Sequence, residues 1–597
     1  MKSKISIIGF TLLILALLLA MLALPTPEDR DEAAEMDGGL ALINVRIFDG
    51  ERIHEQADLL IKDGVIASLG VDKSVPSGYE QIDLQGQTLL PGLIDAHVHA
   101  DSSARQDGLR FGVTTMLDMF RPPFDLAEVK NQRQSVAPSA QSDLFSAGFL
   151  ATVSGGHGTQ YGIEVPTLSG PAQAEAWVDA RLDEGSDYIK IVIESGATWG
   201  SQLPTLSAAT VRALVKAAHS REVMAVAHVS TQADAVMAVE AGADGLVHVF
   251  ADQPIDPKFI ELAVDRNIFI IPTATVLAGA YGRSGKSWIE ANDGLARRIS
   301  MEQRQSLDQS FPGSAMRAAR WSVVPENISA LHAAGVPLLA GSDAPNPATA
   351  QGVSLLHELQ LLVDSGLTPI EALQAATSKT AQEFNLAGRG CLQPGCRADI
   401  VQINGDPLTD ISAVRKIAAV WKNGVQVALD IEHVESEAAD TVAPQAPQKL
   451  PLNMHATGQW LASTDQFMGG QSVATFDISD SGEHVQVSGQ LNPGFAFPYA
   501  GVMWSPGEQM MEAVNLSNAK TLRLKLSAES GAYQLMLFSG ENTNAAPIRI
   551  SLSPGDESVF DLNNFSGLDR SRLRAIGVFA IGSDQAFEFV IEGARLQ

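Results

Sequence analysis

Eight short apolar runs alternate with helical stretches between residues 93 and 340, and this rhythm constrains the chain more than any other feature. The runs are the segment around His97, then Val113–Met119, Leu144–Leu150, Tyr188–Ile193, Val223–Val229, Gly245–Val249, Ile268–Ile271 and Val336–Ala340. Between them, Ser207 to Ala218 carries apolar residues at helical spacing. Asp256-Pro257 reads as a cap followed by proline in the first turn. Beyond the last run, Thr368-Pro369-Ile370-Glu371 combines proline at the first helical position with a capping box. Strand and helix in alternation over roughly 250 residues predict an α/β fold, a (β/α)8 TIM barrel. An open doubly wound sheet is the alternative, but no glycine-rich phosphate loop follows a strand.

The flanks read differently. Residues 38–90 hold short strand-like runs with a hairpin-type turn at Asp63-Gly64, and 391–430 have the same texture with a turn at Asn423-Gly424. Neither flank closes a core alone, so together they predict one small β domain that the chain leaves at Pro91 and re-enters near Gly395. Residues 431–454 are acidic and then rich in Ala, Pro and Gln, as a linker is. From 455 to 597 the helical rhythm is lost, and short runs separated by Gly, Ser, Asn and Pro predict a C-terminal β-sandwich. At the other end, Lys2 and Lys4 precede an uncharged apolar run from Ile5 to Leu24. Residues 1–37 therefore read as an export signal or membrane anchor plus a spacer, which places the protein outside the cytoplasm, in a periplasm or secreted. Cys391 and Cys396 flank a Pro-Gly turn and are either bridged or buried thiols. The net charge of -28 excludes the basic surface that nucleic acid requires.

Chemistry gathers where apolar runs end, because barrel active sites sit at the C-terminal ends of strands. In Pro91-Gly92-Leu93-Ile94-Asp95-Ala96-His97-Val98-His99, alternation puts Asp95, His97 and His99 on one face. His228, His248 and Asp343 end three later runs, and Lys190 lies inside a fourth. Imidazoles and carboxylates in this number suit a metal centre, while the competing reading is a set of hydrogen-bonded strand-end residues. A bare ammonium at Lys190 is costly in an apolar strand. Either it snorkels to the rim or pairs with an acid such as Glu194, or carbon dioxide converts it to an anionic carbamate ligand. Two divalent ions give every residue a role: His97, His99 and Asp343 at one, His228 and His248 at the other, carbamylated Lys190 and a hydroxide between them. Zinc is the first expectation; manganese, iron and cobalt also suit nitrogen and oxygen donors. Asp343 is the expected proton carrier. His157, in a Gly-Gly-His-Gly loop, together with Tyr161, Arg121 and Glu194, are substrate-contact candidates; Asp118 is a candidate for orienting a ligand histidine. His219, His332 and His357 read as structural.

These residues resemble the metal-dependent amidohydrolase superfamily. The resemblance rests on the Pro91–His99 segment, Lys190, His228, His248, Gly341-Ser342-Asp343 and the return segment Pro394-Gly395-Cys396-Arg397-Ala398-Asp399-Ile400. Tyr188-Ile189-Lys190-Ile191 and the His157 loop are similar to the imidazolonepropionase-like and prolidase-like branch. The resemblance implies a binuclear hydrolase with a carboxylated lysine that cuts an amide in a dipeptide or N-acyl amino acid. An ester, lactone or cyclic amide is the alternative bond. Asp465-Gln466-Phe467-Met468-Gly469-Gly470-Gln471-Ser472 resembles the domain of complex I intermediate-associated protein 30, a galactose-binding-like jelly roll, which implies a possible glycan or protein contact. A silent barrel carrying that binding module is the rival of another class.

Overall fold

The computed structural model describes residues 38–70, 74–100, 103–160, 165–200, 202–311, 313–431, 448–465, 472–479, 483–492, 498–507, 511–540, 547–565, 568–582 and 585–597. The apolar segment between Ile5 and Leu24, and Tyr161, lie outside the described residues. Among the described residues, no helix is long and apolar enough to cross a membrane.

The two flanks form one sheet. Strands Leu40–Phe48, Ile53–Lys62, Val65–Gly70, Glu80–Asp83 and Thr88–Pro91 come from the first flank, and Ile400–Ile403, Ile417–Lys422 and Val425–Gln426 from the second. The seam is antiparallel, with Val401 opposite Leu90 and Ile400 opposite Pro91. Leu42, Ile47, Leu59, Ile400 and Trp421 share a small core there. Cys391 and Cys396 are disulfide-bonded beside it.

Between the flanks, Leu93–Val98, Val113–Asp118 and Asp143–Ser146 form one parallel sheet. Ile189–Ile193, Ala225–Val229, Gly245–Val247 and Phe269–Ile271 form another. Single parallel bridges join them: Ala151 with Ile191, Ile270 with Leu338, and Val98 with Ala344. The run Val336–Ala340, expected as the eighth strand, has no ladder and only the bridge at Leu338. Its backbone is shared out instead. Leu339 N–H donates to Ile270, Ala340 N–H to Ala375, and the Ala340 carbonyl accepts from Ala96. Gly341 permits this crowding, since a Cβ there would lie 2.6 Å from Ile271 and 2.9 Å from the His97 nitrogen.

Helices cover the outside. Ala208–His219 buries Val211, Leu214, Val215 and Ala218, one face at helical spacing, and is capped by Ser207, whose hydroxyl accepts from Thr210 N–H at 3.2 Å. Asp256 caps Pro257–Asp265, and Thr368 with Glu371 forms a complete capping box on Pro369–Ala375.

The C-terminal region is all β, two antiparallel sheets. One holds Val473–Ile478, His484–Leu491, Gln585–Leu596, Thr521–Ser527 and Ser558–Asp561; the other holds Gln459–Thr464, Tyr499–Ser505, Leu573–Ile581, Ala532–Ser539 and Ile548–Leu552. Trp504, Val502, Leu524, Leu535 and Phe589 fill the space between them. Four of these strands escape the sequence reading: 459–464, 473–478, 499–505 and 558–561. Val473–Ile478 turns only Ala474 and Phe476 to the core, both half-buried, and carries exposed Val473 and Ile478, so its hydrophobic alternation is weak. Tyr499–Ser505 contains Gly501, where a Cβ would strike the Val578 carbonyl. Of the Asp465–Ser472 motif, the ends are described: the buried Asp465 carboxylate accepts from Ser472 N–H, Ser472 Oγ and Tyr499 N–H. These bonds give the motif's Asp and Ser a structural task.

Candidate metal centre

Parallel register brings the polar strand ends to one level. Lys190 lies beside Val226, and His228 beside both Val192 and Val247. Asp343 N–H donates to the His97 carbonyl at 2.8 Å, and its φ of 55° turns the side chain onto the two histidines of the first strand. Asp343 Oδ1 lies 3.3 Å from His97 Nε2 and 3.0 Å from His99 Nε2, and Oδ2 lies 3.9 Å from His248 Nε2. Ligand atoms of His97, His248 and Asp343 all fall within 4.8 Å of one another. His248 Nε2 is 3.0 Å from His228 Nδ1, and the His97 and His248 rings are 5.1 Å apart.

Second partners fix which nitrogen faces inward. His248 Nδ1 is 2.6 Å from Thr273 Oγ1, His99 Nδ1 is 3.4 Å from the Phe120 carbonyl, and His228 Nε2 is 3.4 Å from Glu194 Oε2. That leaves Nε2 of His248, Nε2 of His99 and Nδ1 of His228 for the centre, the arrangement that orients metal-binding imidazoles. Asp95 serves differently. Its buried carboxylate accepts from Ser342 N–H, Ser342 Oγ and His97 N–H, so it locks the Asp343 loop to the His97 strand. Burial pushes it up to about 7.

The electrostatics favour neutral imidazoles at His97 and His248. Burial first, and the nearby Lys190 and histidines next, hold His97 and His248 well below the ordinary imidazole value. For His99, burial is outweighed by the hydrogen bond and charge of Asp343, and it is raised. Lys190 is 2% exposed, and among the described residues its Nζ has no hydrogen-bond partner. Burial lowers it to about 7. Neither His97 nitrogen makes a hydrogen bond among the described residues. Native proteins rarely leave buried polar atoms so, and these point at a common space. A divalent ion fits that donor set of nitrogens and carboxylate oxygens.

The remaining candidates divide. His157 stacks on His228, with ring centres 5.0 Å apart at 25°, so the glycine loop does deliver it to the centre. Burial, then the charge of His228, lowers it to about 3. Glu194 is 1% exposed and takes up its oxygens internally, accepting from Gly196 N–H at 2.5 Å and Trp199 Nε1 at 3.2 Å as well as facing His228. Burial opposes its charge, but the hydrogen bond and charge of His228 and then the Gly196 N–H hold it at about 2. Its oxygens are thus turned to His228, Gly196 and Trp199. Arg121 is bonded to both oxygens of Asp125, at 2.8 and 3.0 Å, so its guanidinium is engaged within its own loop. Asp118 accepts from Ala100 N–H and Ser146 Oγ and acts on His99 only through its charge. His219 and His332 pair with Asp244 and Glu371, away from the centre. Thr273 was not singled out in the sequence, and Ser342 entered only as the neighbour of Asp343 in Gly341-Ser342-Asp343. The signal for Thr273 was present, since it too is a polar residue just beyond an apolar run.

Residues 88–427 match the model of the amidohydrolase family, and residues 452–559 that of complex I intermediate-associated protein 30. The chain is 25% identical over 435 residues to ochratoxinase of Aspergillus niger, covering 63% of this chain and 83% of that protein. It is 25% identical over 399 residues to imidazolonepropionase of Deinococcus deserti, covering 62% and 92%. Among solved structures it is similar to a putative prolidase from Bifidobacterium longum, with a TM-score of 0.54 at 23% identity over 65% of this chain and 94% of that one. It is similar also to a Xaa-Pro dipeptidase with bound methionine, with a TM-score of 0.52 at 22% identity over 65% and 99%. These structural likenesses place the parallel region among TIM-barrel-type folds. The chain belongs to the amidohydrolase family, whose members hydrolyse carbon–nitrogen bonds, and carries a C-terminal domain of the complex I intermediate-associated protein 30 type.

Proposed function

We propose that the chain hydrolyses an amide in a dipeptide or N-acyl amino acid, using two divalent metal ions, zinc first, in an eight-segment barrel. His97, His99 and Asp343 would hold one ion and His228 and His248 the other, and carbamylated Lys190 would add an anionic oxygen donor. The observation that carries this reading is the Lys190 amine, buried without a hydrogen-bond partner among four histidines and Asp343. An amine lowered to about 7 is largely neutral at physiological pH and free to attack carbon dioxide. Its nitrogen bonds to the carbon and releases a proton, which leaves an anionic oxygen donor where an ammonium would repel cations.

Bound divalent metal supplies acidification of water and polarisation of the substrate carbonyl. The rest falls to side chains. Asp343, with Oδ1 facing His97 and His99, accepts the proton of the attacking water and returns it to the leaving nitrogen. His157, kept neutral, presents a ring beside His228 where the carbonyl oxygen would gather charge. Glu194, Thr273 and the Phe120 carbonyl hold three imidazoles in one tautomer. The names of the relatives, ochratoxinase, imidazolonepropionase and Xaa-Pro dipeptidase, support a small-molecule amide as substrate. The Cys391–Cys396 disulfide supports an oxidising, extracytoplasmic compartment, as the apolar segment near the N-terminus does. The C-terminal domain fits a jelly roll whose contact is a glycan or protein surface.

Elemental analysis of the purified chain, intact mass for a carbon dioxide adduct, and an assay against dipeptides, N-acyl amino acids and esters test this together. Two metal equivalents, lost along with turnover in His97→Ala and Asp343→Asn, are expected. Absence of bound metal after reconstitution with bicarbonate would sink the mechanism.

A further inference from the structure

Beside the metal centre lies a second set of polar groups that the mechanism does not use. Trp199 follows Glu194 by one turn, and its indole N–H donates to the Glu194 oxygen that also faces His228. Tyr281 ends the helix Ala274–Ala280, which begins at Thr273, the partner of His248. Two loops, each tied to an inward-facing histidine, thus meet each other, and the Trp199 and Tyr281 rings lie 6.3 Å apart at 36°. Tyr281 is fully buried, and among the described residues its hydroxyl has no hydrogen-bond partner. A buried phenol nearly always finds one. The guanidinium of Arg317 lies 5.4 Å from the centre of the Trp199 ring, with Nε anchored to the Ala280 carbonyl at 3.2 Å.

We propose that the Tyr281 hydroxyl and the Arg317 guanidinium, backed by the face of Trp199, bind the free carboxylate of an anionic amide substrate; this rests on the amidohydrolase reading above. A guanidinium fork and a phenolic O–H together supply donors in the geometry a planar carboxylate accepts. Charge agrees. Arg320 and Arg317 are the leading electrostatic neighbours of Tyr281, ahead of the one carboxylate, Asp252. Asp252 is itself taken up by Gln232 N–H at 3.0 Å. In a chain of net charge -28, such a corner selects anions against the overall field. The other side of the centre is apolar. Phe120, whose ring is 6.4 Å from that of His99, clusters with Leu150, Val165, Val192 and Phe149. The site therefore fits a molecule with a carboxylate at one end, an apolar group at the other and the amide between, an amino acid carrying an apolar N-acyl group.

The test compares N-hexanoylglycine with N-hexanoylglycinamide on the full-length holoenzyme. Wild type is expected to favour the free acid in kcat/KM by at least about tenfold, as a charge-assisted pair of hydrogen bonds should give. The double variant Tyr281→Phe/Arg317→Met should lose roughly tenfold more on the acid than on the amide, through KM rather than kcat. Arg317→Lys should recover part of that loss. Equal losses on both substrates, or an undiminished preference for the acid, would overturn the site. Binding of 4-methylpentanoate, measured by calorimetry against 4-methylpentanol, separates this idea from the catalytic one. If neither amide is turned over, the catalytic reading fails, and the carboxylate site is judged by whether the double variant weakens 4-methylpentanoate. Unchanged affinity in that variant would show that the carboxylate sits elsewhere, on the metals for instance.

Discussion

Two lysines are buried in the amidohydrolase part of the chain, and their surroundings are opposite. Lys422 is fully buried at the seam between the small β sheet and the barrel. Its Nζ lies 2.7 Å from Asp399 Oδ2 and 3.1 Å from Asp143 Oδ1, and Arg389 and Arg397 face the same carboxylates. Lys190 is equally buried at the other end of the strands, yet among the described residues no acceptor reaches its amine. Burial of a charge is tolerated only where a partner compensates it. A lysine with two carboxylates is thereby a cross-link. One without any is held in a state that the fold alone does not favour, and that state is reactive.

The sharpest way to break the comparison is to remove each amine while keeping the stem. Lys190→Met should abolish turnover, by about 10⁴-fold or more if it is a member of the catalytic unit. It should leave thermal stability of the metal-free protein unchanged or higher, since an uncompensated buried amine is lost. A large fall in melting temperature with near-normal kcat/KM would make Lys190 structural and erase the contrast.

Lys422→Met should do the reverse. It strands Asp399 and Asp143 in the interior, and breaking a buried pair in this way costs about 3–5 kcal/mol. Urea unfolding should show that loss, while the fraction that remains folded keeps its metal and its kcat. Should the variant prove as stable as wild type, Arg389 and Arg397 suffice for the two carboxylates and the lysine is redundant.

The sequence showed one of these lysines and hid the other. Lys190 interrupts Tyr188-Ile189-Lys190-Ile191-Val192, so its oddity is visible in a single window. Lys422 precedes an Asn-Gly turn and looks like any turn lysine, because its partners are 23 and 279 residues away in sequence, at Asp399 and Asp143. The same limit explains the rest. His97, His99, His228, His248 and Asp343 were legible because each ends or interrupts an apolar run and the barrel gathers such ends. Glu194 was seen, but nothing local announces that Trp199, Gly196 and His228 would face its oxygens. The strand at 336–340 was expected because its residues are apolar, but its hydrogen bonds are distributed over three neighbours instead of one. Val473–Ile478 was missed because its core face is only Ala474 and Phe476, while Val473 and Ile478 are apolar yet exposed, which blurs the alternation.

A third buried charge sits between the two lysines in kind and refines the contrast. Glu358 is fully buried on the helix Val353–Asp364, with Oε1 accepting from Ala274 N–H at 2.9 Å and Oε2 from Thr275 N–H at 2.7 Å and Thr275 Oγ1 at 2.9 Å. It has donors but no cation, so burial dominates and raises it from 4.5 to about 7. A carboxyl raised in the folded state binds its proton more tightly there than in the unfolded chain. Between pH 4.5 and 7 the folded protein therefore holds the extra proton, and stability falls as pH rises across that window. The contribution approaches about 1.4 kcal/mol per pH unit at its steepest. Glu358→Gln keeps the shape and an acceptor but cannot ionise. The difference between the melting curves of wild type and variant should be smallest near pH 4.5 and move in favour of the variant up to pH 7. Parallel curves across that range would mean that Glu358 is ionised when folded, compensated like Lys422 by its donors alone.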